Sequence, residues 1–272
     1  MPVPAGTVTT RPTAPRQGTL RFNTTSQAME IYSGTTWLGG SSSTLPVNTN
    51  GLLVYLDANN AASWTGNTAR WDDISGNDYH YTLSGAPTKT GTGIRFVASS
   101  SQYGVRSLDL SGTNAVSVEV AFKVPTVTTN AMVFEHTANW NSNSGAFGAF
   151  ANSLGGLAAN DGSTDNWIHT NSAVGAKDFN VTSTTAWALY TFIYESGSQP
   201  ECYYNSQLVS NTNRSSSGTF SGFANANNYL ATRGASNFYG DVDIGFYRVY
   251  TRRLSAVEIL ANYNASKGVY GL

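Results

Sequence analysis

The chain has 272 residues and a formal net charge of −1, and only 11% of its residues are charged. No basic stripe is available to follow a phosphate backbone, which excludes nucleic acid as a partner. The single cysteine, Cys202, excludes an intramolecular disulfide and reads as a small buried hydrophobe.

Three zones follow one another. The first, residues 1–38, opens on Pro2, Pro4, Pro12 and Pro15, which favour an extended arm over a helix. Met1-Pro2-Val3-Pro4 lacks the basic and apolar regions of a signal peptide, so no leader is expected. Short β-like pieces at residues 20–22, 29–32 and 36–38, separated by turn residues, predict a three-strand meander. Phe22, Ile31, Tyr32 and Trp37 argue against disorder and are the candidate anchoring or oligomerisation residues. A meander this small is marginal alone, so it needs a partner: another copy, another protein, or the third zone. The second zone, Gly-Gly-Ser-Ser-Ser-Thr at residues 39–44, has the composition of a flexible linker.

The third zone, residues 45–272, reads as all-β until its last stretch. Val116, Val118, Val120 and Phe122 alternate with Ser117, Glu119, Ala121 and Lys123, which predicts a strand with one buried face. Residues 187–194 form a second strand rich in β-formers. Residues 201–204 and 207–209 predict a hairpin about Asn205-Ser206, and residues 242–250 a late strand. Shorter candidates lie at 52–56, 94–97, 132–135, 147–151 and 229–232. The run at 52–56 is the longest aliphatic-aromatic stretch and is too short to cross a bilayer, so no membrane insertion is expected. One helix is predicted at about 256–267. Ser255 and Glu258 form a capping box, Leu254 and Ile259 a hydrophobic staple, and Val257, Leu260 and Tyr263 an apolar stripe. Gly268 fits the C′ position, and the helix is expected at the sandwich edge.

Trp71-Asp72-Asp73-Ile74-Ser75-Gly76-Asn77 resembles the W-x-D-x-S-G-N stretch of concanavalin A-like, laminin G-like domains. Residues 93–96 and 101–105, the strand at 116–122, the hairpin at 187–205 and the stretch from Tyr239 to Ile259 match that family's later elements in order. The resemblance implies a concanavalin A-like jelly-roll β-sandwich with one short C-terminal helix over 45–272, preceded by the small β-meander arm. Arg11-Pro12, Pro15, Gly18, Arg21-Phe22-Asn23-Thr24, Glu30, Tyr32, Gly34 and Trp37 are similar to a short module of tailed-bacteriophage structural proteins, often fibres. The ending from Asn262 to Leu272 resembles the termini of phage laminin G-like proteins. These resemblances imply a non-enzymatic virion protein, assembled in the host cytoplasm and displayed on the particle. Its partners would be other virion proteins, further copies (a trimer, by analogy with fibres) and a host-surface glycan bound by a lectin-like head. The alternatives are a capsid decoration or cement protein without a ligand and, less favoured, a polysaccharide depolymerase.

Candidate sites are sparse. Asn139-Trp140-Asn141 and Asp165-Asn166-Trp167 combine an aromatic platform with hydrogen-bonding groups, so Asn139, Trp140, Asn141, Asp165 and Trp167 are carbohydrate-binding candidates. The loop at 160–166 is oxygen-rich, and Asp161 and Asp165 are candidate calcium ligands, although the EF-hand spacing and its terminal glutamate are missing. An Asx-turn loop is the other reading, and no cofactor is otherwise implied. A retaining glycosidase needs two carboxyls about 5–5.5 Å apart. The nearest approach to such a signature is Asp241-x-Asp243, with Gly245 where a third carboxylate would fall. His80, His136 and His169 lack metal-ligand spacing.

Overall fold

The computed structural model describes residues 3–24, 28–39, 47–125, 131–137, 146–151, 166–169, 176–179, 185–213 and 222–272. The chain divides into two compact units, Met1–Pro46 and Val47–Leu272.

The first unit is one sheet of β1 (Ala5–Gly6), β2 (Leu20–Asn23), β3 (Ala28–Tyr32) and β4 (Trp37–Gly39), in that order. The strands β2 to β4 are the expected antiparallel meander, and β1 joins it parallel to β2 from within the proline-rich arm. Its two faces differ sharply. Arg21, Asn23 and Glu30 are buried. Glu30 accepts from Arg11 Nε (3.1 Å) and Nη2 (2.6 Å), from Arg21 Nη1 (3.2 Å) and from Asn23 Nδ2 (3.1 Å). The Arg11 hydrogen bonds in particular hold the Glu30 carboxyl below its ordinary range, with Asn23 and the guanidinium charges adding to the effect against burial. Tyr32 and Trp37 pair on this same polar face, with ring centroids 5.4 Å apart, and Arg21 lies over the Trp37 ring.

The second unit is an all-β jelly-roll sandwich. Its strands are β5 (Leu52–Asp57), β6 (Arg70–Trp71), β7 (Tyr81–Ser84), β8 (Thr88–Thr90), β9 (Gly93–Phe96) and β10 (Tyr103–Asp109). There follow β11 (Ala115–Lys123), β12 (Ala131–Thr137), β13 (Ala146–Ala151), β14 (Asn166–His169) and β15 (Ala176–Phe179). The last are β16 (Ala188–Glu195), β17 (Glu201–Tyr204), β18 (Gln207–Leu208), β19 (Asn211–Asn213), β20 (Asn225–Leu230) and β21 (Val242–Tyr250). Among the described residues, a nine-stranded sheet runs β19-β15-β14-β13-β12-β20-β10-β7-β6. It faces an eight-stranded sheet, β18-β17-β16-β11-β21-β9-β8, with β5 also on β21. Val116, Val118, Val120 and Phe122 meet Val133, Phe134, Phe147 and Leu230 in the core between them. Asn205 and Ser206 both have positive φ, as the tight hairpin turn joining β17 to β18 requires.

The Trp71–Asn77 stretch is a staple. Asp73 accepts from the backbone of Tyr55, Ser75 and Tyr79, and Asn77 donates to the carbonyls of Leu52 and Leu53. These bonds fasten the loop to β5, while Trp71 itself is fully buried in the core.

Three expectations are corrected on the other side of the eight-stranded sheet. The outward residues of β11 do not face water, because Ser117 and Glu119 are buried. The helix α1 (Ala256–Ser266) covers them, so it lies across the sheet face rather than at the edge. Its capping box is present: Ser255 Oγ accepts from Glu258 N, and Glu258 accepts from Ser255 N. The predicted apolar stripe is not the buried one. Val257 and Leu260 are 77% and 46% exposed, while Ile259, Asn262, Ala265 and Ser266 are buried. Gly268 follows the C-cap residue Lys267 as expected, but the left-handed position falls further on. A 3-10 turn continues through Lys267–Tyr270, and Gly271 takes the left-handed position at φ 73°. Tyr270 is seated against Gly245, where any Cβ would clash with its ring.

The reason for the unexpected stripe is a buried ion pair. Arg248 on β21 and Glu119 on β11 stand 3.4 Å apart, both nearly inaccessible. Asn262 Nδ2 donates to Glu119 (2.9 Å), and Arg248 Nη2 donates to Ser266 Oγ (3.0 Å) and Tyr55 Oη (3.0 Å). A buried charge demands such partners, so the helix turns its polar side inward. Replacing Arg248 by Met strands Glu119 in an apolar layer and is expected to destabilise the sandwich by roughly 3–5 kcal/mol in denaturant unfolding. Val257→Ala, by contrast, is expected to stay within about 0.5 kcal/mol.

Candidate functional site

With α1 lying on the eight-stranded sheet, the outer face of the nine-stranded sheet carries a row of polar groups and is the candidate site. In β20, Ala226, Asn228 and Leu230 point inward and Asn225, Asn227 and Tyr229 outward. Asn225 and Asn227 are exposed and Tyr229 is half-buried. On one side they stand opposite Asp109, Ser107 and Val105 of β10. On the other, Asn227 stands opposite Thr137 and Tyr229 opposite Glu135 of β12. Glu135 pairs with Gly148 of β13, and Gly148 with Trp167 of β14. Gly148 places no side chain between those two positions, because a Cβ there would come within 2.7 Å of the Phe134 carbonyl. Asn227 Nδ2 donates to Tyr229 Oη at 3.0 Å, which fixes the ring on this face.

Glu135 is the unusual member of this row. It is buried, and its partner Arg233 is equally buried, with Nε 3.4 Å from Oε1. Arg233 comes from the connection between β20 and β21, where Ala231, Gly234, Ala235 and Phe238 all have φ between 48° and 61°. Three of these four carry a Cβ, so the loop holds backbone strain of the kind that collects at functional sites. The loop folds on itself through Arg233 N to Asn237 O and Tyr239 Oη to Ala235 O, and the guanidinium lies 4.6 Å from the Phe238 ring. Desolvation pushes the Glu135 carboxyl up to about 7, against the opposing pull of Arg233 and the Gly234 amide.

The strands under this face are tied to one another and to the opposite sheet by polar bonds: Tyr81 belongs to β7 of the same sheet, Tyr247 and Tyr194 to the eight-stranded one. Asn228 Oδ1 accepts from Tyr81 Oη (2.7 Å) and Tyr247 Oη (2.9 Å), and Tyr194 Oη donates to the Gly148 carbonyl (3.1 Å). His136 points inward beside Phe147, and its Nε2 lies 3.0 Å from the Ala224 carbonyl. That oxygen only accepts, so Nε2 carries the proton. Burial lowers the imidazole to about 4 and keeps it neutral at pH 7.

Of the carbohydrate candidates, Asn139, Trp140, Asn141 and Asp165 lie outside the described residues, as does the calcium candidate Asp161. Trp167 lies on β14, in register with Gly148. No described group of three His, Cys, Asp or Glu side chains could hold a metal ion. Asp241 and Asp243 form no acid–base pair. Asp243 is held by Arg95 and lies 3.7 Å from Lys123, while Asp241 accepts from the Ala98 amide. Cys202 is buried, and its thiol is pushed well up by desolvation. The anchoring candidates divide between the two faces of the first unit: Phe22 and Ile31 on one, Tyr32 and Trp37 on the other. The row itself escaped sequence reasoning. The run Asn225–Leu230 alternates, but Asn228 faces inward and hides the period.

No protein-family model and no curated protein sequence matches the chain. Its fold is shared with solved structures. Trypanosoma rangeli sialidase in complex with the inhibitor DANA matches with a TM-score of 0.60 and 12% identity, over 82% of this chain and 34% of that one. The same sialidase with sialic acid gives 0.59 and 10%, over 89% and 42%. The receptor binding domain of botulinum neurotoxin C/D mosaic serotype gives 0.55 and 12%, over 80% and 52%. The chain therefore spans about a third to a half of the length of these structures. At such identities the likeness concerns the fold, a β-sandwich. It also corrects the expectation of a chain that is no enzyme: the proteins sharing this fold include sialidases, which are enzymes, and that expectation is withdrawn.

A raised carboxyl favours the protonated form in the folded state, so Glu135 lends most stability below its ordinary pKa of 4.5. That contribution is lost as pH rises through about 7. His136, lowered from 6.5, acts in the opposite sense and is lost as pH falls from 6.5 through about 4. Thermal unfolding of Glu135→Gln is expected to lack the decline that the parent shows between about pH 5 and pH 8. An unchanged slope there would place the carboxyl near its ordinary value.

Proposed function

We propose that this chain is a surface protein of a tailed-phage virion whose sandwich engages a host-surface glycan through the outer face of the nine-stranded sheet. The observation that carries the reading is the outward row of Asn225, Asn227 and Tyr229 beside Ser107 and Asp109. Amides, hydroxyls and one aromatic ring on a braced sheet suit a sugar: polar groups meet its hydroxyls and the ring meets its C–H face. The fold shared with a sialidase captured with sialic acid, and with a toxin's receptor binding domain, supports the same reading. The virion placement, with other virion proteins as neighbours, rests on the sequence resemblances at both ends of the chain.

A glycan array probed with the full chain is expected to show binding. Asn227→Ala and Tyr229→Ala are each expected to weaken it about tenfold or more while leaving the melting transition in place. Binding that survives both changes sinks this face as the site. Antibody labelling of intact particles, with no signal on them, sinks the virion placement.

A further inference from the structure

The connection between β20 and β21 leaves Phe238 outside the core, 39% exposed, while Ala231, Thr232, Arg233 and Gly240 of the same connection are buried. Exposure of a single ring is ordinary on a protein surface. The backbone under this one is not. Phe238 sits at φ 48°, in the left-handed region that a bulky side chain adopts only under constraint. The constraint is a set of bonds around it. The Phe238 carbonyl accepts from Met132 N (3.3 Å), and the Asn237 carbonyl accepts from Thr232 Oγ1 (3.1 Å) and Arg233 N (3.0 Å). Gly240 N donates to the Ala231 carbonyl (2.8 Å). The Arg233 guanidinium lies 4.6 Å from the ring centroid, with Glu135 behind it. A buried ion pair and a strained turn thus hold an aromatic ring in the open, an arrangement that costs stability.

We propose that Phe238 is a contact residue of the glycan site, an aromatic platform for the C–H face of a sugar unit next to the one held at Tyr229. This extends the glycan reading and rests on it. Register gives the location. Tyr229 stands opposite Glu135, Glu135 holds Arg233, and Arg233 lies under the ring, so Tyr229 and Phe238 border the same buried pair. The neighbours give the chemistry. Ser236 and Asn237, just before Phe238, are exposed. A hydroxyl, an amide and a ring repeat the composition of Ser107, Asn227 and Tyr229 on the sheet. Such a set matches a sugar, which presents C–H faces rimmed by hydroxyls. Protein interfaces are built instead on a contiguous apolar centre, whereas this ring adjoins Ser236 and Asn237.

The same glycan array, probed with variants of the full chain, tests the platform. Phe238→Ala is expected to weaken binding about tenfold, and Phe238→Tyr, which keeps a ring, to stay within about threefold of the parent. Phe238→Gly is expected to bind as weakly as Phe238→Ala but to melt about 2–4 °C higher than it, because glycine takes the left-handed backbone without strain. A merely structural ring would not separate binding from melting in this way. Binding that is lost on Tyr229→Ala but unchanged on Phe238→Ala overturns the platform alone. So does a Phe238→Tyr variant that binds no better than Phe238→Ala. A parent that binds no glycan overturns the glycan reading, and the platform with it.

Discussion

The contact on which the sandwich depends is the ion pair between Glu119 and Arg248, sunk on what would otherwise be the wet side of the eight-stranded sheet. Two charges withdrawn from water are tolerated only where hydrogen bonds replace hydration. Here the Arg248 guanidinium lies 3.9 Å from the Phe246 ring and 4.4 Å from the Tyr55 ring, with Tyr55 and Ser266 as acceptors. Glu119 takes Asn262 and, at 3.4 Å, the Tyr250 hydroxyl. Burial raises the Glu119 carboxyl, while Arg248, Asn262 and Tyr250 draw it back. Half of these partners belong to α1, so the helix must lie across the sheet with its polar stripe down. Leu254 and Ile259 then complete an apolar rim with Leu52, Ile193 and Tyr250.

The nine-stranded sheet presents a different outer face. It keeps exposed amides and hydroxyls along β10 and β20, and its strands are braced from behind by Tyr81 and Tyr247 on Asn228. At the end of β20 the chain turns through four left-handed residues, which carry Arg233 back over Glu135. Burial beneath this strained loop raises the Glu135 carboxyl, whereas an exposed carboxyl on a plain sheet surface is not desolvated.

The first unit solves the opposite problem. Its charged residues satisfy one another inside, through Glu30 with Arg11, Arg21 and Asn23, and its apolar residues are left outside. Such a sheet gains little from its own folding, since a buried ion pair is weak support for stability and exposed Leu, Met and Ile contribute nothing until covered.

Local signals in the sequence determined local structure well. Alternation at 116–122 marked β11, Ser255 and Glu258 marked the start of α1, and Asn205-Ser206 marked a turn whose positive φ values asparagine tolerates. Each depends on neighbours within a few residues. Which side of an element is covered depends on what the rest of the chain brings to it, and only the tertiary structure decided that. Val257 and Leu260 look like the buried stripe of α1 in isolation, yet Asn262 and Ser266 are buried because Glu119 and Arg248, far away in sequence, need them. Asn228 breaks the alternation of β20 because two tyrosines from other strands require its carbonyl. Likewise, Phe22, Ile31, Tyr32 and Trp37 form one apolar set in sequence. Strand pairing sends them to opposite faces, because the direction of each side chain is set by register with a partner strand.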